Sequence, residues 1–426
     1  MKKSIYLALC ASTLVFAEAP AIKPAAKRTF SQSQFIPDIS LVVDTAYAHR
    51  SEDQANLSAL GIPGMVEDFF GQAGNTEDEH AHESYSSDDG FNVNYAELIF
   101  SANVDPSFRL DSVFHIGQDS FEIEEAYFTN TALVDGLRIR GGKLLSNFGR
   151  MNSQHQHIWD FNEVPLVYQG FVGNEKLNEI GLQFQYTLPL EEYVIVGAEI
   201  SQGDNARAFG NESLTLSNGK EIEGARTPAL LVSYLKTSFD IGDTTVMPGI
   251  SFLRGESRSL DAHEGEHEIA FDGTSSLYNV ELTIKHYFDS YSFLSWQSEW
   301  MRLEKTGDEY HVEDGETESV AQKIEQEGYY SQLVYAHNQN LRVGLRYDNI
   351  YTNRYKFTEE AVPSEPYERY SAMAEYHFSE FSRLRLEYTH NSALYKEGVN
   401  GFEAINVNSV ILSANLAIGA HAAHAF

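Results

Sequence analysis

The chain has 426 residues, with 26 Phe and 24 Tyr against one Cys and 11 Pro, and its 62 acidic and 30 basic side chains give a formal net charge of −32. So acidic a surface excludes nucleic acid as a partner, since phosphate backbones are bound by basic faces that release counterions. Rich in aromatics yet hydrophilic on average, with a mean hydropathy of −0.34, it does not read as a bundle of membrane helices.

Lys2 and Lys3 precede an apolar run from Ile5 to Phe16, broken only by Ser12 and Thr13, with Val15, Phe16 and Ala17 at cleavage-site positions. This is a signal-peptide pattern over residues 1–17, too short for a spanning helix. Cys10 lies inside it, so the exported chain is expected to have neither disulfides nor thiolate metal ligands. Residues 18–38, rich in Ala, Pro, Lys and Ser, show no period and read as a poorly structured periplasmic lead-in.

From 39 to 426 the pattern is all-β. Alternation is cleanest at Phe108–Gly117, Ile180–Leu188, Tyr278–Phe288 and Leu341–Tyr347, where apolar residues on one face oppose charged or polar residues on the other. Greasy residues outside and charged ones inside describe a transmembrane antiparallel β-barrel with a wet lumen. About sixteen strands are predicted, near 39–50, 91–104, 108–118, 121–133, 137–149, 177–189, 193–204, 227–240, 245–257, 275–288, 291–304, 327–338, 340–353, 369–380, 382–395 and 406–426. Glu122, Glu124 and Glu125 spoil the alternation of the fourth, and a bulge is expected there. Short turn-forming links alternate with long acidic segments at 51–90, 150–179, 205–226, 257–274, 306–326, 354–368 and 396–405; only Gln118–Ser120 is short where the alternation expects a long one. In such barrels the short turns are periplasmic and the long loops external. The last strand, Val410–Phe426, has one greasy and one small or polar face and closes on an aromatic.

In signal peptide, strand number, turn asymmetry and terminal Phe426, the chain resembles the sixteen-stranded general porins of bacterial outer membranes. The resemblance is architectural and spans the mature barrel. It implies passive diffusion of small hydrophilic solutes or ions, contact with outer-membrane lipid and lipopolysaccharide, recognition of the C-terminal strand by the barrel-assembly machinery, and homotrimers. It also implies that the third external loop, here 150–179, folds into the lumen and narrows it. Trp159, Phe161, Pro165 and Tyr168 suit packing inside a barrel better than solvent, although a loop folded over the mouth would satisfy them too.

Arg109, Arg138, Arg140, Lys143, Arg342, Arg346, Arg383 and Arg385 are expected to face the lumen, with Asp160 and Glu163 of the loop opposite them. A transverse field across that constriction would sort solutes by sign and size. Each arginine would serve equally well in a lumen salt bridge that stiffens the wall. Solute identity and the preference for cations or anions stay open.

Histidine is the second signal. His80 and His82, His155 and His157, and His263 and His267 stand among acids in loop segments, and imidazole with carboxylate suits zinc-like divalent ions. The alternative function is therefore capture or uptake of divalent metal, with incidental histidines on solvated acidic loops as the plainer reading. No Gly-x-Ser-x-Gly elbow, P-loop, dinucleotide fingerprint or His-Glu-x-x-His occurs, so an enzyme is not expected, and no organic cofactor is implied.

Overall fold

A computed structural model describes residues 37–66, 69–70, 85–86, 88–117, 120–205, 207–262, 268–313, 315–356, 362–363, 366–398 and 401–419. The signal peptide, nearly all of the lead-in, His80, His82, His263, His267 and Phe426 lie outside the described residues.

Among the described residues, sixteen long strands form one antiparallel sheet that closes on itself. They are β1 (Asp38–Arg50), β2 (Gly90–Asn103), β3 (Phe108–Ile116), β4 (Phe121–Asn130), β5 (Leu137–Leu145), β6 (Asn178–Thr187), β7 (Tyr193–Ser201), β8 (Leu230–Ile241), β9 (Thr244–Ala262), β10 (Glu268–Tyr287), β11 (Phe293–Glu313), β12 (Glu316–Ala336), β13 (Leu341–Tyr355), β14 (Tyr367–Ser379), β15 (Ser382–Gly398) and β16 (Gly401–Gly419). Each pairs with its sequence neighbour, and β1 pairs with β16 from Ser40↔Gly419 to Arg50↔Ser409, which leaves no open edge. Every predicted strand has its counterpart.

The period of two sets the two faces. On β16, Val410, Leu412, Leu416 and Ile418 are exposed on the outside, while Ser409, Ile411, Ser413 and Asn415 are buried inside. The same sorting places Leu231, Val280, Leu333, Leu345 and Leu386 outside and Glu199, Glu299, Asp348 and Glu375 inside. An apolar outer band around a charged interior is stable against lipid and unstable against water. Among the described residues no helix is long and apolar enough to cross a membrane.

Three predicted external loops prove to be strand. The segments 257–274, 306–326 and 396–405 continue as paired strand apart from short tips, with partners such as Ser257↔Gly273, Glu309↔Val320 and Leu394↔Ile405. These stretches are mostly polar, with only scattered apolar residues such as Leu260, Ala270 and Val312, so the apolar alternation that marks a strand in the membrane stops although backbone pairing goes on.

β4 carries the expected bulge. Val113 pairs with Glu125 and Phe114 with Ile123, so Glu124 is the extra residue. The parity of the strand changes there: Glu122 and Glu124 turn inward below the bulge, Glu125 and Tyr127 above it, against Phe121, Ile123 and Phe128 outside.

The largest buried apolar cluster lies inside the barrel. Leu57, Leu60 and Met65 from the segment after β1, Phe148, Trp159, Leu166, Tyr168 and Phe171 from the segment between β5 and β6, and Phe209 after β7 pack against Leu277, Met301, Tyr330, Ile350 and Tyr367 of the wall. Of the two short α-helices among the described residues, α1 (Gln54–Leu57) and α2 (Leu166–Val172), the second is buried along its whole length.

Candidate functional site: a segment held inside the lumen

Residues 146–177 leave the rim between β5 and β6 and turn inward, where wall side chains grip their backbone. Buried wall carboxylates accept its N–H groups. Glu199 takes Asn147 N at 2.8 Å, Glu387 takes Asn162 N at 2.8 Å, and Asp348 takes Leu166 N at 3.0 Å at the start of α2. Glu299 takes Arg150 N at 2.9 Å and Met151 N at 2.8 Å, together with the hydroxyls of Tyr168 at 2.9 Å and Tyr330 at 2.6 Å and the Asn279 amide at 3.0 Å. Wall cations donate to its carbonyls: Lys236 to Gly149 O at 2.7 Å, Arg346 to Glu163 O at 2.7 Å, Arg369 to Val164 O at 2.6 Å, and Arg385 to Trp159 O at 2.5 Å. Buried backbone groups of an irregular segment need such partners, and charged partners give the stronger bonds.

The residues expected at a constriction divide into two groups. One holds the segment. Glu163 pairs with Arg369 at 2.8 Å; Arg346 lies 3.0 Å from Asp348 and over the Phe161 ring at 4.8 Å. Glu375 collects Arg385 at 2.6 Å, Arg383 at 3.3 Å and Arg342 at 3.9 Å, and Asp160 accepts from Gln332 Nε2 at 3.0 Å. Burial pushes the Asp160 carboxyl above the usual range, against the pull of Arg342 foremost among the nearby arginines. The other group lies on β3 and β5, away from that anchor. Arg109 pairs with Asp111 at 2.9 Å, Arg138 donates to Gln185 at 2.6 Å, and Arg140 lies 5.0 Å from the Tyr127 ring centroid. The buried Nε atoms of Arg138 and Arg140 have no hydrogen-bond partner. Lys143 does not join them, because it is in register with outward-facing Ile180 and an odd step from Arg140 reverses the face.

His155 and His157 come together with three glutamates of the wall. His157 Nδ1 is 2.9 Å from Glu97 Oε2 on β2, and His155 Nε2 is 2.9 Å from Glu125 Oε2 on β4. His155 Nδ1 points between Glu124 Oε1 at 3.4 Å and Glu97 Oε1 at 3.7 Å, and Glu97, Glu124 and His155 could hold a metal ion between them. Burial disfavours charge on His155, but Glu124 first and then Glu125 and Glu97 outweigh it and hold its pKa well above the usual value. Lys176 donates to Gln154 O at 2.5 Å and lies 5.1 Å from the Trp159 ring; burial lowers its pKa to about 8 despite the same glutamates. The other four histidines of the metal reading lie outside the described residues.

Sequence reading missed Glu97, Glu299, Asp348, Arg369, Glu375 and Glu387. Inward parity was the available signal, but most of their targets lie on a segment distant in the chain, 225 positions for Glu387 and Asn162 N and 60 for Glu97 and His157, while Glu375 pairs with arginines of the adjoining strands.

No family model matches the chain. An uncharacterized protein of Aquifex aeolicus (strain VF5) is 36% identical over 399 residues, which cover 93% of this chain and 81% of that one. Among solved structures, the outer membrane channel DcaP of Acinetobacter baumannii matches with a TM-score of 0.52 at 14% identity, over 91% of this chain and 99% of its own. OmpT, an outer membrane protein of Vibrio cholerae, matches with a TM-score of 0.50 at 10% identity, over 92% and 100%. What these two structures share with this one is the fold.

Proposed function

The chain belongs to one family with the Aquifex aeolicus protein and has the architecture of sixteen-stranded outer-membrane porins, and from that premise we propose that it is an outer-membrane channel for passive diffusion of small hydrophilic solutes or ions. One observation carries the reading: a closed barrel, apolar outside and charged inside, with a chain segment fixed across its lumen by wall charges. In this reading the anchored segment leaves a passage of fixed width beside it, and solutes are sorted by size.

Sorting by sign follows from which charges are spent. Glu163, Asp348 and Glu375 are matched by Arg369, Arg346 and Arg385, so that side contributes rigidity rather than field. On the other side Arg109 is matched by Asp111, whereas Arg138 and Arg140 of β5 lie against Gln185 and the Tyr127 ring with no carboxylate partner among the described residues; in this reading the two β5 arginines form the selective face. The long segments face outward and the short turns the periplasm.

Swelling of liposomes that carry the refolded protein tests this reading. Swelling that declines as the sugar offered grows larger is expected; swelling no faster than that of empty vesicles would overturn it.

A further inference from the structure

The pocket formed by Glu97, Glu124, Glu125, His155 and His157 has a role that diffusion through a lumen does not require. We propose that Glu97, Glu124 and His155 bind a divalent transition-metal ion of the zinc class, which ties the lumen segment to β2 and β4.

Three observations carry this. The first is spacing. Ligands at the usual distances from a tetrahedral zinc lie about 3.3 Å from one another. His155 Nδ1 is 3.4 Å from Glu124 Oε1 and 3.7 Å from Glu97 Oε1, beyond a good hydrogen bond and close to that edge length. The second is unmet capacity. Glu97 is 2% exposed, yet its Oε1 has no hydrogen-bond partner, and neither has His155 Nδ1. A carboxylate oxygen and a ring nitrogen thus converge on one buried point, where a metal ion would take the place of the imidazole proton.

The third is the outer support. A metal-bound imidazole commonly donates its other nitrogen to a carboxylate, which fixes its tautomer. His155 does this through Nε2, 2.9 Å from Glu125 Oε2, while Glu125 Oε1 is itself fixed by Leu145 N at 2.8 Å. His157 plays the matching part for Glu97, 2.9 Å from its Oε2. The bulge at Glu124 is what turns two consecutive glutamates inward, one to the ion and one to the histidine.

Charge and access agree. Three glutamates and Lys176 leave the pocket two negative charges when the imidazoles are neutral, which a divalent ion balances. His155 and Glu124 keep 17% and 19% side-chain exposure, so an ion can reach them from the lumen. A nitrogen ligand favours zinc, nickel or copper over calcium or magnesium.

Calorimetric titration of the refolded full chain with zinc alone tests the proposal, in a background where His80, His82, His263 and His267 are alanine. One equivalent is expected to bind, to vanish with His155→Ala, and to weaken about 10–100-fold with Glu125→Gln. Heat-modifiable migration on a gel checks that each variant folds, and Glu124→Gln replaces His155→Ala if that variant does not. X-ray absorption of the bound zinc should show nitrogen and carboxylate oxygen. No binding in the background protein, unchanged binding in the folded ligand variant, an all-oxygen shell, or equal displacement by calcium would each overturn the site. None of these outcomes depends on whether the barrel conducts.

Discussion

Arg369 of β14 is fully buried and donates to Glu163 of the lumen segment at 2.8 Å, joining positions 206 residues apart. The same guanidinium reaches Asp348 at 3.3 Å, Gln169 at 2.9 Å and Val164 O at 2.6 Å, so one side chain fixes both the segment's backbone and the start of α2. Burial disfavours its charge, and only these partners make the arrangement stable.

Arg369→Met should therefore release the segment. Removing one member of a buried pair costs about 3–5 kcal/mol, and Arg369→Lys should cost less but more than nothing, because an ammonium cannot reproduce the fork. Amide hydrogen exchange at residues 160–172 is expected to accelerate in the Met variant while exchange in β8 to β11 stays slow. Unchanged protection at 160–172 would show that the pair does not anchor it.

Glu299→Gln is predicted to be as damaging although it is nearly isosteric. Both carboxylate oxygens accept from the segment's N–H groups or from tyrosine hydroxyls. An amide must turn N–H toward donors on one side, and each group left unsatisfied costs about 1–3 kcal/mol. A lowered urea midpoint by tryptophan fluorescence checks this; a midpoint equal to the wild type would contradict it.

These anchors explain what the sequence could disclose. The strands, the bulge at Glu124 and the inward path of 150–179 were legible because apolar alternation, its failure at Glu122–Glu125 and the aromatics of the segment are local signals. Strand ends in β9 to β12 were not, since outside the apolar band pairing leaves no periodic mark. The arginines were found by parity, but which of them would be spent on Glu163, Asp348 or Glu375 depends on a segment distant in the chain, and Lys143 was lost to a parity error of one residue. His155 and His157 were seen as candidates; their partners Glu97, Glu124 and Glu125 lie on two other strands.

Lys176 gives a pH dependence of definite sign. Its folded pKa of about 8 lies below the usual 10.5, so between those values the unfolded chain binds more protons and stability rises with pH. Glu97, Glu124 and Glu125, with the His155 they pair with, are the charged groups that face it. Lys176→Met lacks this contribution. The wild-type urea midpoint should thus gain on that of the variant between about pH 8 and 10; a constant difference would exclude the effect.

Charge selection is predicted to reside on β5. Replacing Arg138 and Arg140 by glutamine removes two cations with unused donors while leaving the anchors intact. The reversal potential in a potassium chloride gradient should shift toward potassium. Arg383→Gln, held 3.3 Å from the Glu375 carboxylate that it shares with Arg385, should shift it less. Equal shifts would remove the distinction between the two groups.

Planar-bilayer recording of the purified protein beside Arg369→Met tests the central claim most directly. A wet barrel narrowed by an anchored segment predicts stepwise conductance in the wild type, and larger, noisier steps once the anchor is removed. A folded protein that inserts and gives no steps in either form would contradict the account.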